Sequence, residues 1–190
     1  MNTKLRPKHK TIITITMIAA ALGLGGYGVK RYQSVQQIKQ LRLLITSQFH
    51  IDPMTKTADC KVNNAMPDHA CTPGAVFASA TKSKVCTSGY SSTVRNVPQS
   101  EKDQVYAEYN ITYHTTGQYE VDHFISLELG GSNDIANLWP EAASPTPGFH
   151  EKDQIENYLH TKLCANVLSL PEAQYLISNK WLSVYKLLHP

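Results

Sequence analysis

At 190 residues the chain has room for one ordinary domain with additions, which excludes a large multidomain assembly. Its formal charge of +3 misleads, because residues 1–31 hold six of the 18 Lys and Arg residues and no acid. Residues 32–190 carry 12 Lys and Arg against 15 Asp and Glu, a net −3, which excludes a broad cationic face for gripping nucleic acid.

The chain opens with Lys4, Arg6, Lys8 and Lys10, runs through an uncharged apolar stretch from Thr11 to Gly28, and continues with Lys30 and Arg31. Such a pattern predicts a signal peptide or a signal-anchor over residues 1–31. Ala21 and Gly23, or Gly26 and Gly28, would suit a signal peptidase, whereas the basic pair behind them favours a retained anchor. The heavier positive charge before the stretch places the N-terminus inside. The body is then exported, on the periplasmic or extracellular side and anchored in the inner membrane.

Val35, Ile38, Leu41 and Ile45 recur near helical spacing and predict a helix from Tyr32 to Phe49, ended by Asp52-Pro53. Residues 53–74 are rich in Asp, Asn, Pro, Lys and Thr and read as a loop or linker, and 32–71 read as a helical stalk and linker. The remaining 72–190 read as one domain of α+β class. Pro73 to Pro98 suggests irregular structure with short strands, and Lys102 to Tyr109 a short helix. Tyr119 to Leu129 alternates as a strand, Gly130-Gly131-Ser-Asn-Asp is a turn, and Asn137-Leu-Trp is a second strand closed by Pro140. After the loop Ser144 to Gly148, Ile155, Leu159 and Leu163 stripe a helix from His150 to Cys164. Ser169-Leu-Pro-Glu172 is a capping box that opens a last helix. Trp139 and Trp181 read as core, and His114, His160 and His189 as ordinary surface residues.

Four cysteines in an exported chain favour disulfides, and the lack of any Cys-x-x-Cys argues against a zinc ribbon. Of the three pairings, Cys60–Cys71 and Cys86–Cys164 are preferred. The first closes a short polar loop; the second ties the segment before the strands to the helix after them.

The strand, tight turn, strand, loop and helix form a ββα order. Asp122-His123 stands at the end of the first strand-like stretch, Asn137 on the return, and His150 at the head of the helix. A carboxylate, two imidazoles and an amide could so converge on one point, as metal-assisted hydrolysis of a phosphodiester requires.

Asp122-His123, Asn137-Leu-Trp-Pro and His150 resemble the His-Asn-His (HNH) nucleases of the ββα-metal, or His-Me finger, type. Asp122-His123-Phe-Ile-Ser-Leu-Glu-Leu-Gly-Gly, Asn137-Leu-Trp-Pro-Glu, Lys152-Asp153-x-x-Glu156-Asn157 and Cys164 are similar to a subgroup of exported bacterial HNH-like proteins. Thr72-Pro-Gly-Ala75 and Val85-Cys-x-x-Gly-Tyr90 add to that likeness, which covers roughly residues 72–188. The resemblance implies a metal-dependent endonuclease acting on DNA with little sequence preference. His123 would be the general base, and Asp122 and His150 would hold one divalent ion (Mg, Mn or Zn), with Glu128, Asp153 or Glu156 as substitute ligands. Asn137 would orient His123 through its amide or bind metal directly. A second helical histidine common in the family is replaced here by Gln154. Lys152, Asp153, Glu156 and Asn157 are expected to seat the helix, with Lys152 also placed to contact phosphate. Arg95, following Lys82 and Lys84, is the expected cationic substrate contact. The alternative is an envelope protein that keeps the scaffold as a structural or binding module.

Overall fold

A computed structural model describes residues 26–190. The expected membrane segment therefore lies almost wholly outside the described residues, and no described helix is long and apolar enough to cross a membrane. The chain divides after Gln40, and Leu41–Pro190 forms one compact unit. Helix α1 spans Gly26–Leu43. From Leu41, itself fully buried, the chain belongs to the body, with Leu44, Ile45, Phe49 and Ile51 packed on the same core. The segment whose composition reads as linker is thus partly body.

Among the described residues the fold is mixed α+β, with six α-helices, one two-stranded sheet and two disulfides. Cysteines pair as the sequence predicts, Cys60 with Cys71 and Cys86 with Cys164. Cys60 N–H donates to the Glu108 carbonyl at 2.9 Å, so the polar loop is held on the body rather than hung from it. Where short strands were expected, the chain instead forms two short helices, α2 (Lys82–Val85) and α3 (Tyr90–Val94). The Thr81 hydroxyl accepts from Lys84 N–H, a local cap that favours a helical turn over extension. Helix α4 runs from Gln99 to Glu108.

Strand β1 is Tyr119–His123 and strand β2 is Leu138–Ala142, paired antiparallel with Asp122 opposite Trp139 and His123 opposite Leu138. The first strand stops six residues before its expected end because Ser126 accepts from Glu128 N–H and caps a tight turn over Leu127–Leu129. The second runs through Pro140, which is tolerable in a two-stranded sheet because its neighbour leaves one edge open. Helix α5 (Phe149–Cys164) and helix α6 (Leu170–Leu188) follow. Ser169 caps α6 through the expected reciprocal bonds, Ser169 N–H to Glu172 Oε2 at 2.7 Å and Glu172 N–H to Ser169 Oγ at 3.4 Å.

Ile155, Leu159 and Leu163 of α5 meet Leu176, Ile177, Trp181 and Val184 of α6 and Ile125 and Leu129 of the interstrand segment in the main core. A smaller cluster joins Val105 of α4 to Val121 and Leu138 on one face of the hairpin. Gly131 sits where the returning chain crosses Ile125: a Cβ there would lie 1.7 Å from the Ile125 carbonyl oxygen. Gly131→Ala should therefore force the interstrand segment apart, costing at least ~2–3 kcal/mol in urea unfolding.

Candidate active site

Consecutive residues of a strand point to opposite faces, and that rule separates the Asp-His pair. Asp122 turns toward α5, where Lys152 Nζ donates to its Oδ2 at 2.5 Å. His123 turns to the face it shares with Val121 and Leu138, where its Nε2 lies 3.1 Å from Asn133 Oδ1. The two side chains do not converge.

Lys152 is fully buried and holds the helix to the hairpin. Its ammonium also donates to Glu156 Oε1 at 2.5 Å and to the His123 carbonyl at 2.9 Å, and lies 3.7 Å from Glu141 Oε2. The phosphate contact expected of Lys152 is thereby overturned, because a side chain with 0% exposure cannot reach a substrate. Its seating role stands. Burial raises the cost of each carboxylate charge here. For Asp122 the Lys152 charge and hydrogen bonds outweigh burial, and its pKa falls below the usual value. Burial dominates at Glu156, pushed up to about 7, and at Glu141, pushed well above the carboxylate range. Neither oxygen of the Glu141 carboxyl has a hydrogen-bond partner. Lys152, surrounded by carboxylates, keeps its proton far above the usual range despite burial.

His123 is 1% exposed. Burial lowers its pKa below 6.5, partly offset by the bond to Asn133, so the ring is neutral at neutral pH. The orientation of Asn133 follows from its other bonds: Nδ2 donates to the Val94 carbonyl at 2.7 Å and Oδ1 accepts from Asn96 N–H at 3.2 Å. Oδ1 therefore accepts from His123 Nε2–H, and the free lone pair is on Nδ1, which is buried without a partner. The sequence offered Asn133 only as a turn residue; nothing in its local pattern distinguished it.

Asn137 neither touches His123 nor faces an open site. Its Oδ1 accepts from Ile125 N–H at 2.9 Å, and its Nδ2 donates to the carbonyls of Ile125 at 3.0 Å and Ser132 at 2.8 Å. Its backbone carbonyl accepts from Phe124 N–H at 2.7 Å, directly after His123. It acts as a clamp on the chain that carries His123.

His150 is exposed on the first turn of α5, and Glu128 is half-buried in the turn after β1. Neither joins Asp122 in a ligand set. Among the described residues the one group of three or more such side chains with ligand atoms within 4.8 Å is Cys86, His160 and Cys164. That group could hold a metal ion, yet both of its sulfurs are joined in the disulfide. His160, expected on the surface, instead places Nε2 2.9 Å from the Val85 carbonyl and 3.4 Å from Cys164 Sγ. The divalent-ion site expected at Asp122 and His150 does not fit this arrangement, since the Asp122 carboxylate is engaged by Lys152.

Arg95 is exposed and lines a cleft of about 340 Å³ that runs along β1. Its cationic companion there is Lys102, not Lys82 or Lys84; Lys82 bonds Asn166 and Lys84 bonds the Ser79 carbonyl. Compared with known proteins, the chain matches no family model, no curated protein and no solved structure.

Two outcomes follow from these bonds. The unfolded chain loses the Glu156 proton near pH 4.5 and the folded chain near 7, so the unfolded state binds fewer protons between these values. Stability should fall as pH rises across that window, and Glu156→Gln should shallow the fall in urea midpoints measured from pH 4.5 to 7.5. Asn137→Ala should lower stability by roughly 2–4 kcal/mol, since it strands buried donors and acceptors of Ile125 and Ser132.

Proposed function

We propose that the protein is an exported phosphodiester hydrolase acting on nucleic acid, an endonuclease in which His123 is the general base. The observation that carries this reading is the neutral His123 ring, whose Nδ1 lone pair is fixed by the Nε2–Asn133 bond and has no partner. A buried polar atom without a partner calls for a reason, and a base awaiting a proton supplies one. Nδ1 would take the proton of the attacking water while Arg95, whose charge already acts on His123, offsets the developing phosphorane charge. The likeness to His-Asn-His nucleases agrees with this role for His123, and the two disulfides agree with export. No step is assigned to the divalent ion that likeness implies, since Asp122 is held by Lys152.

A second reading, an envelope scaffold without catalysis, is favoured by one specific observation. His123 is 1% exposed and Nδ1 is buried, so water reaches that atom only when the structure around the ring opens.

The test is hydrolysis of plasmid DNA and of RNA by the full chain with intact disulfides, with Mg²⁺, Mn²⁺, Zn²⁺ or chelator, beside His123→Ala. The expected result is cleavage that drops by about 10²–10⁴-fold in the variant. Cleavage by the native chain should rise with pH through a value below 6.5 and then level, as the lowered pKa of His123 requires. Native and variant chains that are folded and equally inert under every condition would leave the scaffold.

A further inference from the structure

The cleft beside β1 is built of more than its cation. Arg95, Lys102, Tyr106, Tyr119, Glu120 and Phe149 line a space of about 340 Å³, within the range of small-ligand sites. Tyr106 lies against His114 with ring centres 4.3 Å apart, and His114 meets Tyr119 edge-on at 6.2 Å and 87°. This contact chain fixes the two tyrosine rings in place, so one wall is a preset aromatic surface. Arg95 and Lys102 make no ion pair within 4 Å among the described residues. Their charge is free for an anion.

Rigid aromatic rings beside unpaired cations suit a nucleotide whose base is not already stacked and paired. Every base offers a π-face to an aromatic side chain, whereas a duplex hides those faces. Duplex binding without base contacts depends on many phosphate contacts, and a body of net −3 supplies few. Glu120, in the same lining, repels phosphate and so confines it to Arg95 and Lys102, leaving the tyrosines to the base. Val121 lines the cleft and shares its strand face with His123 two residues on, ~7 Å away by strand geometry. A neighbouring phosphodiester would therefore be led toward His123.

We propose that this cleft binds one unpaired nucleotide of a single-stranded nucleic acid, its base on Tyr106 and Tyr119 and its phosphate on Arg95 and Lys102. The binding stands on the cleft alone; its purpose, presenting a phosphodiester to His123, rests on the hydrolytic reading above.

The experiment is fluorescence anisotropy with the native full chain at low salt, with chelator. The probes are end-labelled oligothymidylate and oligouridylate of ~10 nucleotides and a duplex of equal length, a span covered by known single-strand sites. Each probe is run on a gel afterwards to read cleavage. The expected result is single strands bound at least ~10-fold tighter than duplex. Tyr106→Ala should weaken single-strand binding roughly 5–150-fold, the loss of one base stack. Arg95→Gln, an exposed position with no folding role to lose, should weaken it and lower the salt slope by about one. Duplex bound as tightly as single strands, no binding at all, or Arg95→Gln and folded Tyr106→Ala both binding like the native chain would each overturn the proposal. Binding of intact probes supports the cleft even where hydrolysis fails; duplex cleavage without single-strand binding sinks the cleft and leaves the hydrolase.

Discussion

Lys152 reaches from the first turns of α5 into the hairpin and ends, shut off from water, among Asp122 of β1, Glu141 of β2, Glu156 of its own helix and the His123 carbonyl. A buried ammonium is tolerable only while these partners remain, since removing one partner of such a group typically costs ~3–5 kcal/mol. The register of the strands and the position of α5 against them are thus set together. Three carboxylates around one cation would carry excess negative charge, and burial pushes the pKa of Glu141 well up and that of Glu156 to about 7, which eases it.

That constraint also decides what the Asp-His pair can do. Asp122 is spent on Lys152, and His123, on the opposite face, is left without a side-chain hydrogen bond to it. There the interstrand segment serves as a frame. Asn137 ties Ile125 and Ser132 together, Gly131 lets the chain pass within contact of Ile125, and Asn133 holds the imidazole in one tautomer. Asn133 in turn is held by Val94 and Asn96, so the loop between α3 and α4 takes part in positioning the ring.

The same loop carries Arg95 to the rim of the cleft, and β1 supplies the cleft floor through Tyr119, Glu120 and Val121. A mildly acidic body can still present local cationic and aromatic groups at one point. Local charge of this kind favours a small, specific contact over a broad electrostatic grip.

Much of the fold was legible in the residues. The stripe Ile155, Leu159, Leu163, the capping box at Ser169 and the turn at Gly130-Gly131 depend on neighbours within a few positions, and each produced the element its pattern specifies. The disulfide pairing was legible too, because four cysteines allow few arrangements. The short helices between 82 and 94 were not, since runs so short are decided by single caps and by packing. For the site, the sequence singled out Asp122, His123, Asn137 and His150 as able to converge on one point, and their side chains do not meet there: Asp122 is held by Lys152, His123 by Asn133 and Asn137 by Ile125, while His150 stays exposed. The linear pattern could not assign their directions. Strand alternation sends Asp122 to one face and His123 to the other, and only the packing of α5 decides that Lys152, not a cation from solution, lies against Asp122. Asn133, Lys102 and Tyr106 join the site through contacts made across the fold, by side chains whose local patterns signal nothing but turn or helix.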